Sequence, residues 1–277
     1  MKALRPAGPD TKRLAHDFDL LDRAIQRINR YQHPNLLAQE VSNRQQRTPR
    51  YRTPDLQVLS KLVEMIAYSN NVQVKTIEAI YATSVFGDIF GDYTPETVSQ
   101  LNPSDVIETY WPRIRGIRFK SKVTHMIHSA QCLIDLSAQH GSFMKYLKGQ
   151  QIPSLMRTDN DLEQFWAGFD RVRQDFRDWG MPYFSNFTSL CHLFLEMGFD
   201  CAKPDSGVMK AAASLGIIEG ERPSTVFPEK SRRQVVQFMQ LYAMHRQMQV
   251  AVVDLYFLIL GGQTGAVRYV KPEYYGK

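Results

Sequence analysis

Apolar positions recur along the chain at helical spacing from near its start to about residue 260, and no pair of alternating stretches joined by a tight hairpin turn interrupts them. The first stretch, about residues 12–31, carries Leu14, Phe18, Leu21, Ile25 and Ile28 on one face. Pro34 and the polar run SNRQQRTPRYRTP are expected to break that pattern. A second helix opens at Pro54 and Asp55 with Leu56, Leu59, Leu62, Val63 and Ile66 as its core stripe, and Asn70 and Asn71 predict a break before a helix at about 72–85. Asn102-Pro103-Ser104-Asp105 starts a short helix to about Tyr110, Gly116 separates it from a long helix at about 120–139, and Gly141 ends that one. A helix from Thr158-Asp159 to Trp179 is closed by Gly180. Then come a helix at about 185–197, a loop ending in Pro204, and a helix from Asp205 or Ser206. Two apolar helices, about 231–246 and 249–260, precede ILGGQTG and a tail with Tyr269, Tyr274 and Tyr275.

The expected fold is mainly α, a two-lobed helical bundle with a cleft between the lobes. Its expected organisation is a basic N-terminal arm and helix (1–53), a core (54–216), and C-terminal helices (217–277) that pack back on the N-terminal lobe.

Of the 277 residues, 43% are apolar and 22% charged, which suits a globular chain. No run of about 18 uninterrupted apolar residues occurs and the first residues lack an apolar signal region, so a cytoplasmic setting without a membrane partner is expected. Three scattered cysteines, Cys132, Cys191 and Cys201, make neither a disulfide framework nor a four-cysteine cluster site. His125 and His128 share a helix face without an evident third ligand, so no metal or other cofactor is expected. The net charge of +6 permits a polyanionic partner, and much of the excess lies in the first 53 residues, where an arm rich in arginine is expected either to track phosphates or to form a solvated face.

The chemistry is concentrated in residues 181–216, MPYFSNFTSLCHLFLEMGFDCAKPDSGVMKAAASLG. Met181-Pro182-Tyr183-Phe184-Ser185-Asn186-Phe187 precedes a helix, and Pro204-Asp205-Ser206-Gly207-Val208-Met209-Lys210-Ala211 opens the next. Upstream lie MIAYSNNVQVKTIEAIY and Arg115-Gly116-Ile117-Arg118-Phe119-Lys120-Ser121-Lys122-Val123. In this order the four segments resemble the helix-hairpin-helix base-excision DNA glycosylases, with their L-P-G-V-G-x-K-T-A hairpin, V-D-T-H-V helix start and G-[FL]-x-x-x-K-A turn. Phe187 stands at the hairpin's lysine position, 18 residues before Asp205, the interval expected in the endonuclease III branch.

The resemblance implies a helix-hairpin-helix motif and a monomeric enzyme that flips a modified base out of double-stranded DNA and hydrolyses its N-glycosidic bond. Asp205 is then the catalytic carboxylate, held ionised at a helix start and facing a sugar with oxocarbenium character. Phenylalanine at 187 implies hydrolysis alone, because members that also cut the backbone use a lysine there as Schiff-base nucleophile. Lys203 is the nearest other amine and is expected to contact phosphate instead.

Implied DNA contacts are the main chain of Ser185, Asn186 and Phe187 together with Lys203, Lys120 and Lys122. Tyr68 and Asn70 stand at the wedge position, and Trp111, Tyr183 and Phe184, with Tyr110, Trp166 and Trp179 behind them, are aromatic candidates for a base pocket. Tyr183 and Ser185 depart from the hairpin's glycines, and Gly207, where the family often has histidine, is expected to leave room for a larger base. The substrate implied is an alkylated base or a hypermodified cytosine of phage DNA. The alternative is a catalytically inactive DNA-binding module on the same scaffold.

Overall fold

A computed structural model describes residues 11–31, 34–70, 72–218 and 227–262; the tail with Tyr269, Tyr274 and Tyr275 lies outside them. The described chain is mainly α, with no strand among the described residues. In order its helices are α1 (Thr11–Tyr31), α2 (Pro34–Gln45), α3 (Asp55–Ala67), α4 (Val74–Ala82), α5 (Val85–Phe90), α6 (Pro95–Ser99), α7 (Pro103–Ile114), a single 3₁₀ turn η1 (Arg115–Ile117), α8 (Ser121–His140), α9 (Phe143–Gly149), α10 (Asp159–Asp178), α11 (Phe187–Glu196), α12 (Ser206–Ser214), α13 (Glu229–Arg246) and α14 (Val250–Leu260).

Contacts divide the chain into two compact units, one formed by Met1–Thr48, Ser154–Leu162 and Phe194–Lys277, the other by Pro49–Pro153 and Glu163–Leu193. The residues expected to form one core over 54–216 are thus shared between the two.

In the first unit α1 and α2 pack on α14 around Ile28, Leu37, Val252, Leu255, Tyr256 and Ile259. Polar bonds tie α1 to α13 and α14: the Tyr242 hydroxyl of α13 donates to Asp22 Oδ1 at 2.6 Å and the Tyr256 hydroxyl of α14 to Asn29 Oδ1 at 3.0 Å. The first helix ends at Tyr31, before Pro34 as expected, but Pro34 also opens a further helix, α2, because proline is well suited to a first helical position, where its missing N–H removes no helical bond. Two arginines of the basic N-terminal segment are ion-paired within this unit, Arg44 to Asp254 and Arg47 to Glu196.

In the second unit α8 is the central helix, burying Val123, Met126, Ile127, Ala130, Leu133 and Leu136 and packing on α3, α6 and α9. Asp55, in the first turn of α3, accepts from the Phe143 amide at 3.0 Å and from the Ser137 hydroxyl, joining the start of α3 to the start of α9 and the last turn of α8. Gly180 caps α10 in the left-handed conformation (φ 65°), and the Met181 amide reaches back to the Phe176 carbonyl at 2.8 Å, which closes the last turn. No helix among the described residues is long and apolar enough to cross a membrane.

Candidate functional site

Asp205 occupies the N-cap of α12 with extended backbone (φ −82°, ψ −179°). Its Oδ1 accepts from the Gly207 amide at 3.0 Å and the Val208 amide at 3.2 Å, so two helix-start donors and the positive end of the helix hold one carboxylate oxygen. Its other oxygen, Oδ2, lies 3.9 Å from Lys203 Nζ, and the side chain keeps 24% of its exposure. Lys203 therefore neighbours the carboxylate as a cation at long ion-pair range.

The loop before α12 is fixed from beneath by two carboxylates that sequence reasoning missed. Asp200 is buried; its oxygens accept from the Met156 amide at 3.0 Å and the Val250 amide at 3.1 Å, and its carbonyl accepts from Gln240 Nε2 at 2.9 Å. Burial pushes the Asp200 carboxyl up, against the pull of those two amides.

Asp254, on α14, accepts from the Lys203 amide at 3.1 Å through Oδ1 and from Arg44 at 3.2 Å through Oδ2. Arg44 also reaches the Ala251 carbonyl at 3.0 Å and Glu40 at 2.9 Å. Burial pushes the Asp254 carboxyl up to about 6 with Arg44 opposing it, and the negative charge of Asp205 adds to the rise. The sequence signal was a lone charge within the apolar helix VAVVDLYFLIL.

Gly207 is buried at the start of α12, and the end of α14 approaches it closely: a Cβ on Gly261 would fall 2.3 Å from the Gly207 carbonyl oxygen. Glycine here is a packing device between the two helices. The expectation that Gly207 leaves room for a larger base gains no support from this contact.

In the second unit, eight residues separate α10 from α11. Tyr183 adopts φ 67°, the left-handed conformation that favours glycine, at one of the two positions where the hairpin pattern has glycine. The Phe184 amide donates to the Pro182 carbonyl at 2.7 Å, and the Asn186 amide makes a long 3.4 Å bond to the Tyr183 carbonyl. Arg173 Nε donates to the Ser185 carbonyl at 3.2 Å, and its guanidinium lies 5.6 Å from the Phe187 ring centre. Asn186 is exposed, and Tyr183 and Ser185 are half-buried.

Phe184 is not a pocket residue: its side chain is fully buried, with Tyr183 packed edge-on against it at 5.0 Å. Phe187 is likewise core, stacked with Trp166 at 6.1 Å and edge-on to Phe169 at 5.5 Å, so only its main chain is available for the expected contact. Trp166 belongs to the same cluster and is withdrawn from the pocket candidates.

A second place in this unit joins the turn after α3 to the turn before α8. Lys122 is buried, and its Nζ donates to the carbonyls of Ala67 at 3.0 Å and Ser69 at 2.8 Å. The expected phosphate contact of Lys122 is therefore corrected: the ammonium is spent on the open end of α3, as orphan helix carbonyls require. Burial, with Arg118 adding, lowers its pKa to about 8.

Arg118, itself at φ 78°, donates to the Asn70 carbonyl at 3.1 Å, and Asn70 is exposed with φ 58°. Tyr68 is half-buried and stacks on Tyr81 at 6.3 Å; the buried Tyr81 hydroxyl has no hydrogen-bond partner. Between Arg118 and Lys120, Phe119 presents an apolar ring that is 45% exposed, a wedge candidate that its place inside a basic run concealed. Lys120 is exposed and lies 5.7 Å from the ring centre of half-buried Trp111.

The predicted residues thus fall into groups. Asp205 and Lys203 adjoin in the first unit; in the second, Tyr183–Phe187 form one turn, Tyr68, Asn70 and Lys122 meet at another, and Trp111 with Lys120 make a pair. Comparison with models of known protein families, with curated proteins and with solved structures found no match.

Proposed function

We propose that the chain is a monofunctional DNA glycosylase that extrudes a modified base from duplex DNA and hydrolyses its N-glycosidic bond through Asp205. The observation that carries this reading is the state of Asp205: one oxygen bound to two helix-start amides, the other near Lys203, on a side chain that solvent reaches. A carboxylate fixed by helix-start amides, with its second oxygen open to solvent, is what an oxocarbenium-like sugar and its attacking water need. The water's oxygen attacks the anomeric carbon as its proton passes to Asp205, the bond to the base nitrogen breaks, and the base leaves with that electron pair and is protonated from solvent.

Two further observations support the reading. Tyr183 keeps left-handed backbone where the hairpin pattern calls for glycine. Exposed Asn70 and Phe119 project from turns linked by Arg118 and Lys122, a fixed platform suited to filling a vacated base stack. Burial of Phe187 leaves no amine at the position from which lyase members attack the sugar, which favours hydrolysis alone.

The test is incubation with duplexes carrying alkylated purines, uracil, oxidised bases or phage-type modified cytosines, with free base read by mass spectrometry. At least one duplex is expected to yield free base and an alkali-labile site. Duplex binding with no base released from any of them would favour the non-catalytic alternative.

A further inference from the structure

Between Glu108 and Asp135 the chain has no carboxylate, while Arg113, Arg115, Arg118, Lys120 and Lys122 fall within it. Lys122 is buried, but the other four are exposed and interleaved with Trp111 and Phe119. Cations alternating with aromatic rings suit nucleic acid, since the charges meet phosphates and the rings meet bases.

Beside this run lies an open groove of about 530 Å³ between α4 and the junction of α7 with η1, lined by Lys75, Thr76, Thr83, Arg113, Arg115 and Gly116 among others. Gly116 makes the close approach of its walls possible: a Cβ there would fall 2.6 Å from Thr76 Cγ2 and 2.9 Å from Ile80 Cδ1. Arg113 is paired with Asp88 at 2.8 Å, so Lys75 and Arg115 supply the groove's charge that no carboxylate among the described residues neutralises.

We infer that this groove is a phosphodiester site, in which Lys75 and Arg115 neutralise the backbone of a nucleic-acid strand and the Thr76 hydroxyl supplies an uncharged donor. A groove whose charged lining residues are all cations, set on an apolar floor of Ala79, Ile80 and Pro112 and continuous in sequence with an aromatic-bearing basic turn, complements a chain of phosphates. The inference rests on the DNA-binding half of the proposed function and is independent of base excision.

The test is the salt dependence of binding to a short unmodified DNA duplex, read by fluorescence anisotropy, for the wild type, Lys75→Gln/Arg115→Gln, the charge-conserving Lys75→Arg/Arg115→Lys, and Arg177→Gln as an exposed control outside the groove lining. Circular dichroism confirms that each variant is folded. The double neutralisation is expected to reduce the slope of log affinity against log salt by about 2, close to 0.9 per phosphate contact, with the other two variants at the wild-type slope.

An unchanged slope in the double variant, or an equal fall in Arg177→Gln, overturns the site, as does affinity for polyglutamate with none for DNA. Base release measured on the same preparations separates the two claims. Release with an unchanged slope sinks the groove alone, and a reduced slope without release from any duplex sinks the glycosylase alone. No binding to DNA by the wild type sinks both.

Discussion

Gly261, at the end of α14, lies against Gly207, at the start of α12, so closely that a Cβ on Gly261 would fall 2.3 Å from the Gly207 oxygen and 2.6 Å from its carbonyl carbon. The obstruction is backbone, which cannot rotate away, and Gly207 supplies one of the two amides that hold Asp205. Gly261→Ala is therefore expected to lower stability by about 1–3 kcal/mol, the range for overpacking, and to weaken the Asp205 cap. Thermal unfolding checks this, with Gly149→Ala, where a Cβ meets nothing within 4 Å, as the unperturbed control.

Asp254 makes stability depend on pH in a definite direction. Its folded pKa of about 6 exceeds the ordinary 3.8, so the folded chain holds the extra proton between those values. The stabilisation is complete below the ordinary value and is lost as pH rises through about 6, amounting to about 3 kcal/mol. Asp254→Asn removes this descent. Urea unfolding of both proteins on either side of that window is expected to favour the wild type, relative to the variant, at the acid end; parallel profiles would contradict it.

Phe187→Lys does not produce a lyase. The position is enclosed by Trp166 and Phe169, where an ammonium lacks solvation, so the expected result is a loss of roughly 3 kcal/mol or more of stability. Borohydride is expected to trap no covalent DNA adduct with either wild type or variant. A trapped adduct with the wild type would assign the amine to another residue, with Lys203 the nearest to Asp205.

Lys122→Met leaves the Ala67 and Ser69 carbonyls without their donor. A cost of about 1–3 kcal/mol is expected, concentrated in the turn: amide exchange is predicted to speed up at residues 68–70 and to stay unchanged around α9. Uniform acceleration would mean that Lys122 supports the unit as a whole and not that turn.

Much of this architecture is legible in the sequence because local chemistry and period agree. Asp55, Asn102-Pro103, Gly141, Gly180 and Asp205 mark helix ends within a residue or two of where α3, α7, α8, α10 and α12 begin or stop. Pro34 marks the break after α1, while the helix it opens was missed because proline breaks a helix interior but suits a helix start. The short helices α5, α6 and α9, of six, five and seven residues, hold too few turns to show a period.

At the candidate site the division is similar. Asp205 is readable from its neighbours, whereas Lys122 was misjudged because charge suggests exposure and its carbonyl partners lie 55 and 53 residues away in sequence. Asp254 and Asp200 act through main-chain amides of distant segments, which no local pattern encodes.

The central claim is that the Asp205 charge, and not its role as a cap, performs the chemistry. Asparagine caps helices about as well as aspartate, so Asp205→Asn is expected to keep the melting temperature and duplex affinity of the wild type. On a duplex from which the wild type releases free base, the account predicts that Asp205→Asn releases none above the uncatalysed background. Base release by this variant at the wild-type rate would contradict it.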